Sequence, residues 1–158
     1  MKEEKLVVGV IGLGMGKSHL KGAIACGAEV GGVCDTNPDK LKAVGKELGI
    51  DESKLTTDYK AIIANPNINV VIIATPDQLH RQMIEEAIAA GKHIMCEKPL
   101  ALTREDLCAI VQTANRSDKK FMVGQICRFT PGFIRAKEIL DSGEIGELYF
   151  VESEYAHD

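Results

Sequence analysis

Apolar residues fall into two kinds of segment along this chain. Short runs such as Val70-Val71-Ile72-Ile73 alternate with longer stretches in which apolar positions recur every third or fourth residue. The pattern predicts strands at 5–12, 29–35, 54–57, 69–74, 92–97, 120–126 and 147–154. Amphipathic helices are predicted between them, at 17–27, 38–48, 58–64, 78–90, 103–116 and 131–142. In 78–90, Leu79, Met83, Ala87 and Ala90 repeat at helical spacing and leave Arg81, Glu85 and Glu86 for water. Thr103 with Asp106 forms a capping-box-like start, and Gly49, Gly91 and Gly143 stand where helices should stop. The run 70–73 is apolar at every position, as a strand covered on both faces must be. Strand and helix thus alternate into an α/β class with a doubly wound parallel sheet.

The tail reads differently. After the helix at 131–142, Glu147 to Tyr155 alternates Leu148, Phe150 and Ser153 with polar residues, the pattern of a half-exposed strand. An exposed edge strand at a chain end invites stray pairing. Residues 1–126 are therefore expected to form one domain, and 127–158 the first element of a second α/β domain in a longer protein.

The turn after the first strand carries the main chemical signal. Gly12-Leu13-Gly14-Met15-Gly16 leads into a predicted helix, and the second strand ends in Asp35, 21 residues after Gly14. Glycines let backbone approach a phosphate, a helix start offers N–H groups to the anion, and the acid accepts hydrogen bonds from a ribose. The usual fingerprint has its third glycine at 17, where this chain has Lys17; Gly16 comes one residue early. Lys17 is read either as a phosphate partner or as a solvated lysine. Hydrogen bonds from ribose hydroxyls to a carboxylate such as Asp35 are worth about 1.5–3 kcal/mol each. The same charge repels a 2′-phosphate, and neither Thr36 nor Asn37 supplies an arginine to offset it, so NAD is favoured over NADP. The plain alternative for Asp35 is a turn acid ahead of Asn37-Pro38.

Two further strand ends point the same way, because ligands of such sheets bind at the carboxyl ends of the strands. One carries Ala74-Thr75-Pro76-Asp77 followed by His80, and the other carries Glu97-Lys98-Pro99. Thr75, Pro76, His80, Glu97 and Lys98 join Gly12, Leu13, Gly14, Met15, Gly16, Asp35 and Thr36 as candidate cofactor contacts. His80 also suits a helix-surface or capping role, and Glu97 with Lys98 a surface ion pair.

Composition narrows the partners. A net charge of −4 and a pI near 5.6 argue against a nucleic-acid partner. No apolar stretch is long enough to span a bilayer, and Met1 to Lys5 lacks a leader pattern. The five cysteines, at 26, 34, 96, 108 and 127, show no metal spacing. Most lie in or beside apolar runs, so they are expected to be small buried hydrophobes in a reduced, cytoplasmic protein.

With these residues in view the chain resembles the glucose–fructose oxidoreductase, inositol dehydrogenase and rhizopine-catabolism family (Gfo/Idh/MocA). The resemblance rests on Gly12-Leu13-Gly14-Met15-Gly16 with His19, on Asp35, on Ala74-Thr75-Pro76 with His80, and on Gly91-Lys92-His93-Ile94-Met95-Cys96-Glu97-Lys98-Pro99-Leu100. Arg128-Phe129-Thr130-Pro131, Ala136-Lys137 and Ser142-Gly143-Glu144-Ile145-Gly146-Glu147 extend it over nearly the whole chain. It implies a Rossmann domain in a two-domain NAD(P)-dependent oxidoreductase of sugars, inositols or related polyols, often a homo-oligomer through the second domain. It also implies a catalytic Lys98 at the substrate oxygen, a cofactor-binding Glu97 and a cis Pro99. The family's Asp-x-x-x-His motif, whose histidine moves the proton, has no match here, and Tyr155-Ala156-His157-Asp158 does not supply it. Two rival readings stay open: a non-catalytic NAD-binding module or sensor subunit, and an S-adenosylmethionine-dependent methyltransferase. Neither needs Lys98.

Overall fold

The computed structural model describes residues 5–154 and Ala156. The leader reading of Met1 to Glu4, and Tyr155, His157 and Asp158 of the terminal tetrapeptide, lie outside the described residues. The chain divides into two compact units, the first ending at Gly124 and the second beginning at Gln125.

The first unit alternates strand and helix. Its strands are β1 (Val7–Ile11), β2 (Glu29–Cys34), β3 (Leu55–Thr56), β4 (Val70–Ile73), β5 (His93–Cys96) and β6 (Phe121–Val123). They form one six-stranded sheet in the order β3-β2-β1-β4-β5-β6, with every pairing parallel. The order reverses between β1 and β4, which opens a crevice beyond their carboxyl ends. The connecting helices are α1 (Gly16–Ala25), α2 (Pro38–Leu48), α3 (Tyr59–Ala64), α4 (His80–Ala89) and α5 (Arg104–Asn115).

Two cores explain why helices cover both faces. Ile11, Val71, Ile73, Ile94 and Cys96 bury one face with Ile62, Ile63, Ile84 and Ile110 from α3, α4 and α5. Val10, Val33 and Ile72 bury the other with Leu20 from α1 and with Leu41 and Val44 from α2. Val10 and Ile11 therefore point to opposite sides, as do Ile72 and Ile73, and an all-apolar strand results. Burying each such side chain contributes about 1.5–3 kcal/mol.

Local signals set the helix bounds. Asn37 caps α2 by accepting from the Asp39 and Lys40 amides, Pro38 sits in its first turn, and Gly49 ends it at φ +64°. Thr103 caps α5 and accepts from the Asp106 amide at 3.1 Å. The helix expected at 78–90 opens instead as a 3-10 turn (Asp77–Leu79) and becomes α-helical at His80. Its buried stripe is His80, Met83, Ile84 and Ala87, whereas Leu79 and Ala90 are exposed.

In the second unit, a 3-10 turn (Ile126–Phe129) leads into α6 (Pro131–Asp141). The strand expected at 147–154 does not form: residues 148–154 take no regular structure. A strand needs a neighbour to complete its backbone hydrogen bonds, and among the described residues this unit has no other strand. The cysteine expectation is also corrected. Cys34 and Cys96 are buried, and burial first, then nearby carboxylates, push their thiols up to about 11 and about 12. Cys26, Cys108 and Cys127 are exposed: Cys26 caps the end of α1 and Cys108 lies on the outer side of α5. Among the described residues no helix is long and apolar enough to cross a membrane.

Candidate dinucleotide site

The glycine loop joins β1 to α1, and its three glycines do three jobs. Gly12 turns the chain at φ +89°, and a Cβ there would lie 2.4 Å from the Ala74 carbonyl oxygen at the end of β4. Gly16 is buried, and a Cβ would press on Val10 and Ala74 at 3.0 and 3.2 Å, so glycine lets α1 pack close to the sheet. The early third glycine thus does the packing work that the usual fingerprint gives to position 17. A Cβ on Gly14 would meet nothing within 4 Å. Internal packing therefore gives no reason for glycine at 14, and the open side of Gly14 lines the cavity. Met15 begins α1 without any side-chain cap, and the first turn holds no acid, which leaves the helix start free for an anion.

Asp35 follows β2 and reaches back under this loop. Its Oδ2 accepts from the Leu13 amide at 2.7 Å and its Oδ1 from the Asn37 amide at 3.0 Å. Lys40, on the first turn of α2, adds an ion pair to Oδ2 at 3.1 Å. Partial burial alone would raise the Asp35 pKa, but the Asn37 and Leu13 amides and Lys40 outweigh it and hold the carboxyl below its usual range.

A cavity of about 460 Å³ opens at these strand ends. It brings together Gly12, Leu13, Gly14, Asp35, Thr36, Thr75 and Pro76 of the expected residues. It also includes Lys40, Thr57 and Tyr59. Lys40 had a signal in the sequence, since Asn37 as cap and Pro38 as first helical residue place position 40 on the turn facing Asp35. Thr57 and Tyr59 had none, because they reach the site only through the pairing of β3 beside β2.

The remaining expected residues sit outside that lining. Met15 is half-exposed at the helix start. Lys17 pairs with Glu47 of α2 at 2.7 Å, so its ammonium is engaged between helices. His80 is fully buried, with Nδ1 3.0 Å from the Pro99 carbonyl oxygen and Nε2 3.0 Å from that of Thr75. Its ring is committed to two backbone loops, which is a positioning role. Glu97 is buried at the end of β5; its Oε1 lies 2.5 Å from His19 Nε2 of α1, and its Oε2 accepts from the Lys98 amide. Lys98 is exposed beyond it, and the Lys98–Pro99 peptide is cis. Among the described residues no cluster of His, Cys, Asp or Glu is placed to hold a metal ion.

These features fit a dinucleotide: an open glycine, a free helix start, and an ionised acid one strand away. Comparison with known proteins agrees. Residues 6–125 match the family model described as "Oxidoreductase family, NAD-binding Rossmann fold". The chain is 32% identical over 154 residues to an inositol 2-dehydrogenase of Salmonella paratyphi B, covering 95% of this chain and 46% of that protein. It is 36% identical over 126 residues to a levoglucosan dehydrogenase of Pseudarthrobacter phenanthrenivorans, covering 80% and 32%. The structure of scyllo-inositol dehydrogenase from Lactobacillus casei with bound NAD(H) and scyllo-inositol superposes with a TM-score of 0.79 at 33% identity, covering 91% of this chain and 43% of that one. The chain thus spans less than half the length of these relatives. All three are named dehydrogenases, and none supports a non-catalytic module. With the strand order, the glycine loop and the acid already in place, the match assigns the chain to the Gfo/Idh/MocA oxidoreductase family, as its NAD-binding Rossmann domain.

Proposed function

We propose that this chain is the cofactor half of an NAD-dependent dehydrogenase acting on an inositol, sugar or related polyol. The observation that carries this is the His19–Glu97 hydrogen bond, 2.5 Å long. It ties the strand end that bears Lys98 to the helix that starts at the glycine loop, which supports a role for Lys98 beside the cofactor. NAD, when bound, supplies a nicotinamide ring that takes hydride from a carbinol carbon or returns it to a carbonyl. The glycine loop and the start of α1 hold the pyrophosphate, and Asp35 with Thr36 the adenosine ribose. Thr75 and Pro76 line the approach. Lys98 orients and polarises the substrate oxygen, and by resemblance the proton moves through the histidine of the family's second domain. The substrate class is supported by the relatives named for inositol and levoglucosan.

Two measurements test this reading. Calorimetry on the chain itself should show NADH binding. In the longer protein that carries it, Lys98→Ala should lower turnover on a polyol about 100-fold or more while the NADH dissociation constant moves by less than about threefold. No NADH binding removes the dinucleotide site, and unchanged turnover removes Lys98 from catalysis.

A further inference from the structure

We propose that Lys40 lets this site take a 2′-phosphorylated dinucleotide as well as NAD, so that its preference for the unphosphorylated cofactor is narrow. The inference rests on the reading above, in which the adenosine ribose lies at Asp35. An acid after the second strand excludes a 2′-phosphate because like charges meet there. Here that acid does not stand alone. The Lys40 ammonium lies 3.1 Å from Asp35 Oδ2, and the pair carries no net charge. Most of the long-range repulsion on an incoming phosphate is therefore cancelled before binding.

Asp35 is also already committed. The Leu13 and Asn37 amides occupy one oxygen each and fix the carboxylate toward the loop and the turn. Lys40 has no such second anchor among the described residues, and its side chain is 40% exposed against 11% for Asp35. The ammonium is free to leave Asp35 for a stronger anion while the carboxylate stays on its amides. Thr36 and Thr57 line the same cavity, and a threonine hydroxyl is a neutral donor. A ribose with a free 2′-hydroxyl is then held by Asp35, and a 2′-phosphate by Lys40 with the two threonines.

The test uses this chain and the fluorescence of the two reduced cofactors. NADH is expected to bind more tightly than NADPH, but by no more than about tenfold. Lys40→Met, which keeps the aliphatic stem and removes the charge, should raise the ratio of the NADPH to the NADH dissociation constant about tenfold or more. Lys40→Arg should keep that ratio within about threefold of native, which shows that the charge matters and not the fold. If native protein binds NADH but not NADPH, or if Lys40→Met leaves the ratio unchanged, the proposal is overturned while the dinucleotide site stands. Failure of native protein to bind NADH overturns the dinucleotide reading, and this proposal with it.

Discussion

Asp35 serves the apoprotein before any ligand arrives. Its carboxylate accepts from the Leu13 and Asn37 amides, so the acid that would bind a ribose also fixes the glycine loop. Truncating it leaves the Leu13 N–H without a partner and Lys40 without a counter-charge. Asp35→Ala is expected to destabilise the domain by about 1–3 kcal/mol, read as a lower midpoint in urea with an unchanged slope. The effect has a definite pH range. Because the folded carboxyl is held below its usual value, its stabilisation is fully present above the unfolded pKa of about 3.9 and is lost as pH falls through the lower folded value. Native and Asp35→Ala proteins should therefore differ most near neutrality and converge in strong acid. A difference that persists unchanged at low pH would show that the carboxylate charge plays no part. At this scale the sequence was informative. The spacing from Gly14 pointed to Asp35, whose carboxylate bonds the glycine loop in the fold, and only the early Gly16 needed coordinates, because its reason is contact with Val10 and Ala74.

Elements were legible where the sequence carries its own stop and start signals, and less so where neighbours decide. The helix expected at 38–48 with Gly49 as its stop is α2 in the structure, where Asn37 adds the cap. The start of α4 was not readable, because His80 looks on a helical wheel like one polar residue beside an apolar stripe. In the fold it belongs to the stripe: its ring is buried and its nitrogens face the carbonyls of Thr75 and Pro99. One side chain thereby joins the loop after β4 to the loop after β5, the two strand ends expected to meet cofactor and substrate. His80→Ala removes the ring's hydrogen bonding to these carbonyls and leaves a void, and should cost about 2–4 kcal/mol. His80→Phe fills the void without the hydrogen bonding and should still cost about 1–3 kcal/mol. A phenylalanine variant with a native unfolding midpoint would mean that the ring acts by volume alone. The half-exposed strand expected at 147–154 failed for the opposite reason. Alternation states which face a strand would bury, but supplies no partner for its hydrogen bonds.

Across the whole molecule, what could not be read from pattern was strand order, and strand order builds the cavity. Thr57 and Tyr59 come from beyond β3, Thr75 and Pro76 from beyond β4, and the glycine loop from beyond β1. They meet because β2 and β4 flank β1 in the parallel sheet. Every residue lining the cavity falls between Ile11 and Met83, wholly inside the first compact unit. That unit also holds both apolar cores and all six strands, so cofactor binding should be a property of it alone. A chain ending at Gly124 is accordingly expected to unfold cooperatively and to bind NADH within about threefold of the 158-residue protein, since it keeps every residue that lines the cavity. Equilibrium urea unfolding and a fluorescence titration check the two parts separately. A truncated chain that folds but binds NADH tenfold or more weakly would place residues 125–158 in the cofactor site, and the division of labour drawn from the sheet would then be wrong.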